Sequence, residues 1–238
     1  MTGARRLQMT CGIVAALFVA GCGSGSSSKA TPTPHRATPT PKPTPTPAPD
    51  TLSVAVTTTG VGAWQLVAVP VAVLHNAATR HGAKGVVVHF TTIAANGSPQ
   101  HSLNSVAVNI LPGATVTVTA NCTDVCNDAA SATASVDVAS WVETAGIGFT
   151  GGVATYACSA GCGGRQSGEV SATLTSVGTV AKGSPVTVFA QCVGGGGGII
   201  GGGSSQISWP SGTSASVMVP AIVNGKPASC SVSGSTGW

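Results

Sequence analysis

Gly113-Ala-Thr-Val-Thr-Val-Thr-Ala-Asn-Cys122 decides the fold, and Gly183-Ser-Pro-Val-Thr-Val-Phe-Ala-Gln-Cys192 repeats it without a gap. In each copy a glycine suited to a turn precedes a run of period two. Val116, Val118, Ala120 and Cys122 share one face in the first copy; Val186, Val188, Ala190 and Cys192 share one face in the second. Side chains alternate across a strand, so each run predicts a strand whose cysteine points toward a core. The match argues for an internal duplication. The competing reading is chance agreement between two Val/Thr-rich strands.

Outward from these copies the same period recurs. Strands are expected near 52–57, 65–74, 86–93, 104–110, 115–121 and 131–141, and then near 154–157, 169–176, 185–192, 206–209, 215–222 and 228–232. Turn signals separate them: Asn96-Gly97-Ser98-Pro99, Pro112-Gly113, Lys182-Gly183-Ser184-Pro185 and Asn224-Gly225-Lys226. No long stretch carries the i, i+3, i+4, i+7 pattern of an amphipathic helix. Charged residues make up 7% and aromatics 4% of the chain, so neither charge pairing nor large rings dominate its packing. The expected class is all-β, with two β-sandwich domains at 51–143 and 144–238. The glycine run Gly194–Gly198 and Gly201–Gly203 around Ile199-Ile200 reads as a flexible loop. It lacks the Lys-Ser/Thr and the following helix of a phosphate-binding loop.

The segment before Thr51 has a different character. Arg5 and Arg6 form a positive n-region, and Met9–Val19 forms an apolar run too short to span a bilayer. Val19-Ala20-Gly21-Cys22 follows, and then the Gly/Ser tract 23–28. Thr31–Pro49 alternates proline with threonine and small residues and holds eight of the fifteen prolines. Such a tract cannot bury an apolar face and adopts extended polyproline II, reaching roughly 60 Å at ~3.1 Å per residue. Residues 1–21 are therefore expected to be a signal peptide, and residues 22–50 a disordered Gly/Ser and Pro/Thr linker.

Two resemblances add to this reading. Val19-Ala20-Gly21-Cys22 resembles the lipobox of bacterial lipoproteins. The resemblance implies cleavage before Cys22, a diacylglyceryl thioether on its sulfur, and anchoring to the cell membrane or outer membrane. His75-Asn76-Ala77-Ala78-Thr79, Val86-Val87-Val88-His89-Phe90, Ala95-Asn96-Gly97-Ser98 and Ile110-Leu111-Pro112-Gly113-Ala114-Thr115-Val116 follow an order similar to bacterial surface Ig-like domains, including the FxLYD type. That resemblance implies Ig-like sandwiches that bind or space, without catalytic residues.

Eight cysteines are present. Cys11 falls in the signal and Cys22 takes the lipid. An even remainder in an exported chain reads as disulfides. The expected pairs are Cys122–Cys126, Cys158–Cys162 and Cys192–Cys230. A rival pairing joins Cys122 to a distant partner, because its strand aims it at the core. A zinc site is disfavoured, since thiols oxidise outside the membrane and Cys-x-x-x-Cys is looser than the usual spacing. His75, His81, His89 and His101 have no convergent carboxylates and read as solvated or edge residues. Asp124 and Asp128 flank Cys126 in a polar loop. They are the best cation candidates, with a plain hairpin tip as the competing reading. Trp209, before Pro210-Ser211-Gly212, is the candidate stacking platform for a sugar ring; the competing role is a core plug.

Enzyme signatures are missing: no Gly-x-Ser-x-Gly, no His-Glu-x-x-His, no P-loop lysine. No cofactor is expected. From Thr51 onward five acids balance five bases, which argues against nucleic acid as a partner. The expected function is a non-catalytic binding or interaction module of the cell envelope, held at the membrane by its lipid. Its candidate partners are an envelope protein or a wall polysaccharide. A structural spacer and an envelope hydrolase are the alternatives.

Overall fold

A computed structural model describes residues 49–123, 126, 128–143 and 146–236. The described residues fold as fourteen strands without a helix. In chain order they are β1 (Val54–Trp64), β2 (Val67–Asn76), β3 (Gly82–Ala94), β4 (Pro99–Asn104), β5 (Val108–Ile110), β6 (Thr115–Thr119) and β7 (Ala129–Val142), then β8 (Gly148–Gly151), β9 (Thr155–Ala160), β10 (Arg165–Val177), β11 (Pro185–Val193), β12 (Ile199–Ser208), β13 (Ser214–Asn224) and β14 (Ser229–Thr236). The expected signal peptide, the lipidated Cys22 and most of the linker lie outside the described residues.

The first half forms two facing sheets. One has the order β1-β2-β6; in the other β3 is flanked by β7 along one edge and by β4 and β5, end to end, along the other. Between them lie Ala72 and Leu74 of β2, Val116 and Val118 of β6, Val86, Val88 and Phe90 of β3, and Val108 and Ile110 of β5. The turns read from sequence close these sheets. Gly97 (φ 84°) and Gly113 (φ 65°) hold the left-handed backbone that lets the chain reverse.

The second half differs from the expected pair of facing sheets. Its strands form one seven-stranded sheet, β14-β11-β12-β13-β10-β8, with β9 beside β8 on the same edge of β10. The sheet rolls around its own core of Val170, Leu174, Val188, Trp209, Val219 and neighbours. A bridge between Ala154 and Cys230 brings the β8–β9 edge onto β14. Glycine permits that closure: a Cβ on Gly151 would meet the Val232 carbonyl, and one on Gly234 would lie 2.9 Å from Leu174.

The rolled sheet covers the outer face of β1-β2-β6. Ala72 and Leu74 face the first core, so Val71 faces the other way, and it is fully buried beside Gly202 of β12. A strand buried on both faces loses the polar half of its alternation. That is why β2 reads Val-Ala-Val-Pro-Val-Ala-Val-Leu. Residues Pro47–Trp238 thus cluster as one compact unit in which both halves pack together. The seam is apolar where Val71 and Phe189 are buried and polar or glycine-lined elsewhere. The Thr117 amide donates to Ser233 Oγ (3.1 Å), the Thr117 hydroxyl to Gln191 Oε1 (2.9 Å), and the Asn109 amide to Ser235 Oγ (2.9 Å).

The glycine run corrects the sequence reading. Gly194–Gly198 makes a turn, but Gly201–Gly203 belongs to β12 rather than to a loop. A Cβ on Gly201 would strike the Ile222 carbonyl and stand 2.9 Å from the Cα of Gly62. The run is glycine because the two layers touch through backbone there.

Candidate functional site

Turn chemistry builds the site. The β9–β10 turn passes through Gly161 (φ 72°) and Gly163 (φ 108°) and is spanned by Cys158 and Cys162. The β13–β14 turn passes through Gly225 (φ 106°) to Lys226 and Pro227. The Gly225 amide donates to the Gly164 carbonyl (2.8 Å). The buried side chain of Gln166 clamps both turns: Nε2 donates to Gly225 O (2.8 Å), and Oε1 accepts from the Gly163 amide (3.3 Å). Asn224 ties the second turn to β1. Its Nδ2 donates to Val61 O (2.9 Å), and its Oδ1 accepts from the Ala63 amide (3.0 Å).

Between these turns and the start of β14 opens a cavity of about 350 Å³. Ala154, Pro227 and Ala228 give it apolar walls, and Cys158, Cys162 and Cys230 add polarisable sulfur. Lys226 is exposed and is the one formally charged residue of the lining. Tyr156, the chain's single tyrosine, also lines it. Its phenolic oxygen is buried without a hydrogen-bond partner, and burial pushes its pKa up.

The cysteines fall as sequence spacing predicted. Cys122 and Cys126, Cys158 and Cys162, and Cys192 and Cys230 stand at disulfide distance, with Cα–Cα separations of 5.9, 5.9 and 4.1 Å. Cys192 and Cys230 sit directly opposite each other on β11 and β14. Cys122 and Cys192 both face inward, 3% and 0% exposed. The rival long-range partner for Cys122 is not used; Cys126 folds back beside it in a small cluster with Val61, Ala63 and Ala68. Three such pairs are the pattern of an oxidising compartment.

Of the two roles open to it, Trp209 takes the core plug and not the platform. It is 1% exposed, its Nε1 donates to Gly212 O (3.1 Å), and its ring meets Phe149 edge-on at 5.2 Å. No ligand ring can stack on it. Asp124 lies outside the described residues. Asp128 is exposed, and its carboxylate accepts from Gln100 Nε2. Among the described residues no three His, Cys, Asp or Glu side chains gather as a metal site. The histidines do not gather into one site, yet two of them meet a carboxylate, against the expectation that none converges on them. His75 meets Thr115, His81 meets Asp50 (2.7 Å), and His89 lies between Asn104 and Asp137, each at 2.8 Å. Those two oxygen acceptors, Asn104 first, raise the His89 pKa by favouring the doubly protonated ring.

Sequence reasoning missed the cavity. Asn224-Gly225-Lys226 was legible as a turn, but Gln166 and Tyr156 are lone residues in strands with no local signal of what they meet. Neither a family model, nor a curated protein, nor a solved structure matches the chain.

Proposed function

We propose that this chain is a lipid-anchored lipoprotein of the bacterial cell envelope that acts as a non-catalytic binding module, and that the cavity beside Tyr156 and Lys226 is its recognition site. The lipobox Val19–Cys22 and the Pro/Thr tract are the sequence features behind the anchor and the tether. The paired cysteines support an extracytoplasmic address. The facing sheets of 51–143 support the Ig-like reading of that half, whereas the rolled sheet of 144–238 departs from it.

One observation carries the functional reading. Within the folded unit, Asp50 and the cavity lie at opposite ends of β1. Asp50 is fastened to the loop 79–81 beside the start of β1. Trp64, at the end of β1, has its Nε1 against the Gly161 turn, which borders the cavity. Eleven strand residues separate the two ends, or about 35 Å at ~3.3 Å per residue. The cavity thus lies at the far end of β1 from Asp50, the residue at which the described fold begins.

The test has two parts. Cys22→Ser should move the protein from the membrane fraction to the soluble extracytoplasmic fraction; retention in the membrane removes the anchor. The oxidised chain should bind isolated envelope material saturably, and Ala228→Trp, which fills the cavity, should abolish that binding. Absence of saturable binding would turn the reading to a spacer.

A further inference from the structure

We infer that Cys158 and Cys162 form a thiol–disulfide exchange site: a dithiol attacks Cys162 Sγ and opens the pair while the fold stays intact. The inference adds an activity to the chain and does not depend on what the cavity binds.

Exposure separates this pair from the other two. Cys162 is exposed and Cys158 half-buried, and both line the cavity. Cys122 and Cys126 are buried together, and the half-buried Cys230 is backed by the wholly buried Cys192. The Cys122–Cys126 pair is a control built into the chain. It has the same separation in sequence, four, and the same Cα–Cα distance, 5.9 Å, so the loop-closure entropy of the two pairs is alike. What differs is access. Exposed disulfides are the labile ones, because exchange requires a thiolate to reach sulfur. No carboxylate lines the cavity to repel that anion, and the one formal charge of the lining, Lys226, has the opposite sign.

The turn is held by bonds that do not pass through sulfur. The Gly164 amide donates to Gly161 O (3.3 Å), the Gly225 amide to Gly164 O (2.8 Å), and Gln166 bonds Gly163 and Gly225. Strand pairing of β9 with β10 runs through Cys158, opposite Gly168. Cys158 Sγ stands 3.7 Å from the Ala160 carbonyl, in reach of the S–H that reduction creates. The pair can therefore open without breaking another bond of the turn.

Exchange runs in two displacements. A thiolate of the dithiol bonds to Cys162 Sγ, the protein S–S bond breaks, and Cys158 leaves as a thiolate that takes up a proton. The second thiol of the same dithiol, deprotonated, then attacks its own sulfur in the mixed disulfide and releases Cys162, which is protonated in turn. Two electrons and two protons pass to the protein, and the dithiol ends as its own disulfide.

Differential alkylation of the full chain in native buffer tests this. The protein meets graded dithiothreitol, or in parallel reduced thioredoxin, and is then alkylated with iodoacetamide; peptide mass spectrometry locates the modified cysteines. Cys158 and Cys162 should open roughly tenfold faster than Cys122, Cys126, Cys192 and Cys230, with the near-ultraviolet circular dichroism of the folded chain retained. Opening by both reductants admits a protein dithiol as the partner, and opening by dithiothreitol alone restricts it to a small one; both support the inference. Cys122–Cys126 opening as fast, all pairs opening together, or loss of the folded signal as Cys158–Cys162 opens overturns it. Failure of both reductants overturns it as well. A second measurement assigns the attacked sulfur. Cys158→Ser leaves Cys162 free, and Cys162→Ser leaves Cys158 free. Toward dithionitrobenzoate the first variant should react several-fold faster, and equal rates or the reverse order would overturn Cys162 as the point of attack.

Discussion

Asp50 ends the proline tract and begins the fold. The linker reading placed it among residues without structure, yet its carboxylate accepts from the Thr79 amide and hydroxyl, the Arg80 amide and His81 Nδ1. The His81 hydrogen bond, then the Thr79 amide, hold its pKa well below the usual carboxylate range. A depressed folded pKa gives stability that is present above the unfolded value, near ~3.9, and drains away as pH falls through the folded value. Asp50→Asn should therefore melt lower than wild type at pH 7, and the gap should narrow steadily below about pH 4. Equal melting temperatures at pH 7 would show that the clamp contributes nothing. Composition near Asp50 pointed to linker because its partners are 29 to 31 positions downstream. Trp209 takes the plug role that its type already favours, although the Phe149 ring it meets leaves no local signal. Truncation to Ala should cost about 3–5 kcal/mol in denaturant unfolding, as for a buried aromatic. A loss below about 1 kcal/mol would place the ring outside the core.

Strands were the best-read level. Period-two alternation located β6 and β11 and aimed both cysteines inward; both are buried, Cys192 within β11 and Cys122 beyond the end of β6 in a separate small cluster. Alternation needs one polar face, and it failed where both faces are covered or where no side chain is present. The β4 strand, Pro99–Asn104, has a mostly polar sequence and went unseen. The glycines of β12 went unseen because a Cβ is what the pattern reads. Their role is checkable. Gly201→Val puts a side chain against the Ile222 carbonyl at φ 148° and should destabilise by about 3 kcal/mol or more. Gly195→Ala points into open space and should stay within about 0.5 kcal/mol. Equal effects at the two positions would refute the close-contact account. The paired cysteines allow a second comparison. In the chain-entropy view, removing the Cys192–Cys230 pair, 38 residues apart, should cost about 4 kcal/mol. Removing the Cys158–Cys162 pair, four apart, should cost about 2 kcal/mol. Urea unfolding of the two double-alanine variants reads the difference.

At the scale of the whole molecule the sequence carried the all-β class, but not how the sheets pack. All-β character followed from period and turns. The contact of three sheets did not, because beside the buried Val71 and Phe189 it is made by backbone at Gly62 and Gly201 and by polar residues such as Thr117, Gln191, Asn224 and Ser233, which form no local pattern. The cavity exists only because the β9–β10 turn, the β13–β14 turn and the tip of β1 are bonded together. Its polar residues come from the paired strands β9 and β10 and from the distant β13–β14 turn and the start of β14. The proposed recognition site is this cavity, at the end of β1 remote from Asp50. The most direct measurement is saturable binding of the oxidised chain to purified envelope, compared between wild type and Ala228→Trp. The account predicts a saturating isotherm for wild type and none for the variant, with equal melting temperatures. Binding that is unchanged when the cavity is filled would contradict it.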